Sequence, residues 1–264
     1  MSTFKNKWIW ITGASAGLGA AMARAFALEN ANLILSARNV EKLQAVADAC
    51  EGTGEKHILP LDLTEIDLLD QKVKKAISLG GRIDILINNG GISQRALAKD
   101  TLPEVSRKVF EINFFGTIEL TRLVVPTMLQ QKSGHIMTIS SVVGKFGTPY
   151  RSTYSASKHA LQGYFDSLRF EVEKEGIDVT LICPGFIRTD VTRNALTADG
   201  KPQNTMDKKT AAGMSPDKFA KKVVKVMRKR KKEAYIGGSE LLAIYLKRYI
   251  PSLFRWIIAR TEVR

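Results

Sequence analysis

The chain is poor in residues that cross-link or ligate. Its 264 residues hold two cysteines, Cys50 and Cys183, and three histidines, His57, His135 and His159. Two thiols at that separation build neither a disulfide scaffold nor a zinc pattern. The scattered imidazoles give no histidine metal site, so no metal is expected. Such sparing use of cysteine fits a reducing, cytoplasmic compartment. No run of about 20 apolar residues accumulates, which excludes a multi-span membrane chain. Nor does the start read as a secretory leader. Met1–Lys7 is short and polar, and Trp8–Thr12 passes straight into a glycine-rich turn, as a strand would. Repeats, low-complexity tracts and interdomain linkers are also missing, which leaves one domain as the expectation.

The bulk composition is that of a globular protein with a real core: 44% hydrophobic and 25% charged residues. The charge, +14 overall, is unevenly placed. Residues 1–200 carry 23 Lys+Arg against 21 Asp+Glu, whereas residues 201–264 carry 17 against 5. A nearly neutral body with a cationic end points to an anionic partner for that end.

Apolar runs alternate with helical patterns along the chain. Strands are expected at Trp8–Thr12, Asn32–Ser36, His57–Pro60, Ile83–Asn88, His135–Ser140, Asp178–Cys183 and Glu233–Ile236. Helices are expected at Leu18–Glu29, Val40–Cys50, Glu65–Leu79, Pro103–Gln131 and Tyr150–Lys174, and after Ser215-Pro216. Thr101 and Glu104 have capping-box spacing. Continuous apolar strands alternating with helices mean a parallel sheet covered on both faces. The expected fold is therefore α/β: a single Rossmann-type, doubly wound domain over residues 1–238, followed by an amphipathic helical tail over 239–264. The polar, weakly periodic stretch Asp190–Met214 reads as a lid or binding loop.

Polar clusters recur at the strand ends. The first strand closes in Thr12-Gly13-Ala14-Ser15-Ala16-Gly17-Leu18-Gly19, where glycines let backbone approach a pyrophosphate at a helix N-terminus. A tight strand-to-helix turn would also want glycine. The second strand ends at Ser36-Ala37-Arg38, with no acid to hold a ribose 2′-hydroxyl. Arg38 can instead pair with a 2′-phosphate, which favours NADP over NAD, although a loop arginine can also be merely solvated. Tyr154 and Lys158 are i,i+4 neighbours on a helix, and a nearby ammonium lowers a phenol's pKa. Ser141 lies 13 residues before Tyr154; Asn88-Asn89-Gly90-Gly91, Asn113 and Pro184-Gly185-Phe186-Ile187-Arg188-Thr189 complete the set. Open α/β sheets bind ligands at the carboxyl ends of their strands, where these clusters fall.

In order and spacing, from about Lys7 to Gly237, the sequence resembles the short-chain dehydrogenase/reductase family. The motifs are TGxxxGxG, NNxG with Gly90 in place of the usual alanine, the lone Asn113, Ser-x12-Tyr-x3-Lys and PGxxxT. The segments Gly91–Gln94 and Phe114–Thr117 look most like the branch containing 11β-hydroxysteroid dehydrogenase and its membrane-associated relatives. The resemblance implies a catalytic set of Asn113, Ser141, Tyr154 and Lys158. Tyr154 would exchange the proton with the substrate oxygen, and Ser141 would hydrogen-bond that oxygen. Lys158 would lower the tyrosine's pKa and hold the nicotinamide ribose, and Asn113 would hold a water linking Lys158 to solvent. Cofactor contacts would be Gly13, Ser15, Gly17, Leu18 and Gly19 at the pyrophosphate, Arg38 at the 2′-phosphate, and Asp62 with Leu63 at the adenine. Asn89 would lie beside the adenosine ribose, with Pro184, Gly185, Ile187 and Thr189 near the carboxamide. Substrate would meet Ser141, Tyr154, Ser93, Gln94 and Phe186, with Val143 and Phe146 nearby.

The activity implied is NADP-dependent interconversion of a carbonyl and a secondary alcohol, on a lipid-like or bulky apolar small molecule. A 3-oxoacyl carrier-protein reductase is the alternative within the enzyme class, and a catalytically silent nucleotide-binding interaction protein the alternative outside it. No nucleic-acid partner is expected. The nine basic residues in Lys218–Lys232 lack interleaved aromatics, and Phe219, Val223, Val226 and Met227 give that run an apolar face. Cys183 reads as core and His159 as facing away from the site. A homo-oligomer is expected through the two long helices, with Phe165, Leu168 and Val172 as contacts unless they face their own sheet. On a single helix, Leu242, Tyr245, Leu246, Tyr249, Leu253, Trp256 and Ile257 share a face, with Lys247, Arg248 and Arg255 opposite and Pro251 as a break. That tail either lies peripherally on an anionic membrane, packs over the pocket, or does both.

Overall fold

The computed structural model describes residues 3–260, so residues 1–2 of the catalytic domain and 261–264 of the tail lie outside the described residues. Seven strands form one parallel sheet: β1 (Trp8–Thr12), β2 (Asn32–Ser36), β3 (Lys56–Ile58), β4 (Ile85–Asn88), β5 (Gly134–Ile139), β6 (Ile177–Pro184) and β7 (Glu233–Ile236). Their order is β3-β2-β1-β4-β5-β6-β7. The order reverses between β1 and β4, so the crevice beyond their carboxyl ends is the place for a ligand.

The helices cover both faces. They are α1 (Gly17–Ala27), α2 (Val40–Asp48), α3 (Leu69–Gly80), α4 (Pro103–Phe110), α5 (Gly116–Gln131), α6 (Ser152–Val172), α7 (Lys208–Ala211), α8 (Pro216–Arg228), α9 (Leu242–Tyr249) and α10 (Pro251–Arg260). Side chains alternate across each strand. Ile9, Ile11, Leu33 and Leu35 meet Met22, Phe26, Phe219 and Val223 on one face. Trp10, Ile34 and Leu86 meet Val73, Leu120 and Phe165 on the other. In register, Trp10 sits between Ile34 of β2 and Leu86 of β4. Burial on both faces explains why these strands carry no polar alternation.

Four expectations need correction. The expected single helix over Pro103–Gln131 is interrupted by a π-helical turn, Glu111–Phe115, that carries Asn113. Thr101 and Glu104 form no capping box: Leu102 is the N-cap of α4, and the Thr101 hydroxyl donates to the Leu97 carbonyl instead. Only a 3₁₀ turn, Ile66–Leu68, precedes α3. Phe165, Leu168 and Val172 are buried in their own core and cannot meet a second subunit.

The tail breaks at Pro251 as expected, and the break rearranges its apolar face. Ile250 breaks it, and Pro251 opens a separate α10, so one helical projection through both halves does not hold. Ile244 and Phe254 are buried, with Leu241, Leu246 and Ile258 half-buried beside them. They pack on Val142, Val143 and Phe146, next to Tyr154. Leu242, Tyr245, Tyr249, Leu253 and Trp256, from the expected apolar face, are exposed.

Candidate active site

The glycine turn after β1 is built for a bound group. Gly13 and Gly17 have φ of +63° and +54°, a left-handed backbone that costs side-chain-bearing residues energy. A β-carbon on Gly19 would collide with the Gly13 carbonyl. The N-cap of α1, Ala16, makes no side-chain cap, and the first turn holds no acid. The orphan amides of α1 therefore remain available to an anion. Ser15 and Leu18 belong to this turn. Asn89 holds it from β4: its Nδ2 donates to the carbonyls of Thr12 and Gly13 at 3.0 and 3.1 Å. The Thr12 hydroxyl accepts the amides of Asn89 and Gly90, each at 3.0 Å. Asn89 is thus a clamp on the cradle. Gly90 lies against Leu63: an added β-carbon would sit 2.8 Å from its Cδ1.

Beside the cradle, Arg38 has a side chain 68% exposed, with Nη1 4.0 Å from the Asp62 carboxylate. Asp62 Oδ1 accepts the amide and hydroxyl of Thr64, which fixes the carboxylate at the end of β3. On the far side, Thr189 hangs over the turn: its Cγ2 is 3.4 Å from where a β-carbon on Gly17 would lie. Ile187 is buried and pairs with Met214 in an isolated bridge. Open left-handed glycines and uncapped amides fit the pyrophosphate of a dinucleotide, with the exposed Arg38 guanidinium beside them.

Ser141, Tyr154 and Lys158 meet where β5 ends against α6. Ser141 caps a 3₁₀ turn, Val142–Gly144, and its hydroxyl hydrogen-bonds the Tyr154 phenol. Lys158 is buried, its Nζ donating to the Ile139 carbonyl at 2.8 Å and lying 5.9 Å from the Tyr154 ring centre. Burial pulls its pKa down to about 8, so the ammonium persists below that pH. The expected lowering of the tyrosine by Lys158 is not what the geometry gives. Burial raises the Tyr154 pKa, and the opposing pulls come from Arg151, Arg95 and the Ser141 hydrogen bond. The Lys158 ammonium is itself desolvated and aimed at a carbonyl rather than at the phenol.

Asn113 sits in the π-helical turn, fully buried. Its Oδ1 accepts the Ile92 amide at 2.8 Å, while Nδ2 donates to the Ile92 carbonyl and Ser157 Oγ. Extra turns of this kind recur at functional sites. Gly91 brings the two parts together: an added β-carbon would sit 3.0 Å from Asn113 Oδ1 and 3.6 Å from Lys158 Nζ.

Two expected substrate contacts are structural instead. Gln94 is fully buried, its Nε2 donating to the Ala96 carbonyl and Thr101 Oγ1. Ser93 is buried as well, and its hydroxyl accepts from Arg95 Nη1 at 2.8 Å. Phe186 stays at the rim, its amide donating to the Glu240 carboxylate at 2.7 Å. Cys183 is buried with its thiol pushed up to about 12, as a core residue rather than a redox group. His159 bonds the Ser155 carbonyl, away from Lys158.

Sequence reasoning missed a clasp of buried charge. Asp207 Oδ2 accepts from Arg95 Nη2 at 2.9 Å and from Arg151 Nη2 at 3.1 Å. It ties the end of the loop after β6 to the β4 rim and to the start of α6, one turn before Tyr154. Two cations share one carboxylate, and burial with the charge of Arg95 holds Arg151 at about 10. Long-range ion pairs leave no local spacing to read. Glu240 was missed for the same reason: it accepts the amides of Phe186 and Gly238 and docks the tail on Pro184-Gly185. Removing one partner from a buried ion pair costs about 3–5 kcal/mol. Asp207→Ala is expected to lose that much and to speed amide exchange over residues 190–206; unchanged exchange there would contradict the clasp.

Comparisons with known proteins follow the same outline. A family model described as short chain dehydrogenase matches residues 7–200. A Drosophila melanogaster protein named Dehydrogenase/reductase SDR family protein 7-like is 40% identical over 98% of this chain and 81% of its own. Dehydrogenase/reductase SDR family member 7B of Xenopus laevis is 40% identical over 96% of this chain and 81% of its own. A metagenomic short-chain oxidoreductase, solved in complex with NADP, superposes with a TM-score of 0.73 at 27% identity, covering 89% of this chain and 98% of that one. A Burkholderia phymatum short-chain dehydrogenase/reductase, solved with NAD, shares the fold with a TM-score of 0.85 at 22% identity over 96% of each chain. Motifs, parallel sheet and rim geometry agree with these matches, and the chain belongs to the short-chain dehydrogenase/reductase family of oxidoreductases.

Proposed function

We propose that this oxidoreductase uses NADP(H) to interconvert a lipid-like or bulky apolar carbonyl compound and its secondary alcohol. The observation that carries the reading is the convergence of Ser141, Tyr154 and Lys158 against an apolar wall of Val142, Val143 and Phe146. Residues Gly13 to Gly19 would hold the pyrophosphate, Arg38 a 2′-phosphate, and Lys158 the nicotinamide ribose. The nicotinamide, when bound, supplies or accepts the hydride at the carbonyl carbon.

The protein's own residues handle the proton. In reduction, the Tyr154 hydroxyl gives its proton to the carbonyl oxygen, which becomes the alcohol hydroxyl. Ser141 hydrogen-bonds that oxygen and stabilises negative charge as it develops. The Arg151 and Arg95 guanidiniums favour the tyrosinate left behind, opposing the effect of burial. Asn113 fixes the Ile92 backbone beside Lys158. In oxidation the same groups run in reverse, with the tyrosinate as base. The roof from α9 and α10 limits access to the wall and favours an apolar body on the substrate.

Two substitutions test the reading. Tyr154→Phe removes one hydroxyl and keeps the ring. It is expected to cut kcat by about 10²–10⁴-fold with cofactor binding retained; activity within a factor of about three would assign the proton to another group. A charge-assisted hydrogen bond to phosphate contributes about 1.5–3 kcal/mol, or roughly 10–100-fold in preference. Arg38→Asp should reverse the ratio of kcat/KM for NADPH over NADH. Equal wild-type values for the two cofactors would remove the case for NADP.

A further inference from the structure

The buried charges of the clasp do not balance. Asp207 Oδ2 accepts from Arg95 Nε at 3.2 Å and Nη2 at 2.9 Å, and from Arg151 Nη2 at 3.1 Å. The side chains of Arg95, Arg151 and Asp207 are only 6%, 11% and 6% exposed. Tying the loop down would need one cation. A second on the same carboxylate leaves a positive charge uncompensated, and such a charge costs stability.

Asp207 spends its carboxylate on these cations alone rather than on its own helix. It is the N-cap of α7 and makes no side-chain cap, although aspartate in that position ordinarily accepts helix amides. Its Oδ1 meets Gln203 Nε2 at 3.4 Å, and Gln203 also donates to the Thr205 carbonyl and, through its amide, to the Ala195 carbonyl. The carboxylate is thus set in place by the folded loop.

Arg151 depends on it. Arg95 has further partners in Ser93 Oγ and the Gln94 carbonyl. Among the described residues, Asp207 is the hydrogen-bond partner of the Arg151 guanidinium, whose buried Nε has none. The backbone bends to deliver this arginine. Tyr150 has φ of +63°, which is uncommon outside glycine, and its carbonyl accepts the Ala96 amide at 3.1 Å. Strained backbone of this kind gathers at functional sites.

Three residues later comes Tyr154. Burial raises its pKa, and Arg151 and then Arg95 pull it back. The other groups around that phenol are fixed by other elements. Ser141 bonds it from the end of β5, and Lys158 Nζ lies 5.9 Å from the ring centre while held by the Ile139 carbonyl. Tyr235 of β7 shares its apolar cluster and donates to Glu233, which is paired with Lys145 at 2.6 Å. From the roof come the uncharged Ile244 and Phe254, with Lys247 against the Phe254 ring. Only the two arginines answer to the loop.

We propose that Asp207 is a positioning residue for the proton step: the docked loop after β6 holds both guanidiniums beside the Tyr154 phenol through one carboxylate, and undocking withdraws Arg151. Without that oxygen the two like charges repel, and Arg151 has no second partner to keep it from solvent. The inference rests on Tyr154 as the proton-handling group.

Titration of the full chain tests it. Tyrosinate absorbance is taken as the difference between each protein and the same protein carrying Tyr154→Phe, so that one phenol is followed, with circular dichroism reporting the fold. Asp207→Ala and Arg151→Gln are each expected to move the Tyr154 ionisation up by about one pH unit or more, and Arg151→Lys, which keeps the charge, to stay near wild type. A carboxylate acting through its own negative charge would instead move the phenol down when removed. Asp207→Ala shifting the ionisation down, or leaving it within about 0.3 unit, would overturn the proposal. So would Arg151→Lys shifting as far as Arg151→Gln, a comparison that decides even where Asp207→Ala does not fold. The titration needs no substrate. Failure of the clasp is therefore read separately from failure of the proposed reaction, which the kinetics of Tyr154→Phe report.

Discussion

The rim depends on one close approach of backbone to backbone. Gly19, in the first turn of α1, lies against the carbonyl of Gly13 with no room for a β-carbon. That contact sets the helix start directly beyond the end of β1, where its uncapped amides point into the crevice. Asn89 and the Thr12 hydroxyl then lock the same turn to the end of β4. From β4 the chain runs through Gly91, which has space only because it lacks a side chain, to the meeting of Asn113 and Lys158. The glycine cradle and the Ser141–Tyr154–Lys158 cluster are thus held by one chain of contacts.

The burial that gives the site its shape also works against its chemistry. A buried phenol resists ionisation and a buried ammonium resists its charge, and both effects are seen at Tyr154 and Lys158. The protein offsets this with more positive charge than it neutralises: Arg95 and Arg151 share a single carboxylate, Asp207. The carboxylate stands at the end of the loop that covers the substrate side. The position of that loop and the electrostatics around Tyr154 therefore share one ion cluster.

Local pattern carried most of the fold. Apolar runs such as WIWIT and NLILS are strands because both their faces are buried, and the strand-end glycines and asparagines mark the rim for the same reason. Ser141, Tyr154 and Lys158 were legible because they lie within 18 residues of one another, on one strand end and one helix. Non-local and conformational features were not legible. The Arg95–Asp207 pair spans 112 residues, and Glu240 reaches back 54 to Phe186. Ser93 and Gln94 looked like substrate contacts from their place after β4, but polar side chains there also satisfy loop backbone. The break at Pro251 was legible, but which residues each half buries was not. Each half in fact turns a different set of apolar residues inward.

The central claim is that the glycine turn is a nicotinamide dinucleotide cradle serving Tyr154. Titration calorimetry of the full chain with NADPH tests it most directly, with Gly19→Val as the comparison and near-ultraviolet circular dichroism confirming that the variant is folded. The account predicts one NADPH bound per wild-type chain, and no binding heat once valine fills the space against the Gly13 carbonyl. Undiminished NADPH binding by the folded valine variant, or no binding by wild type, would contradict it.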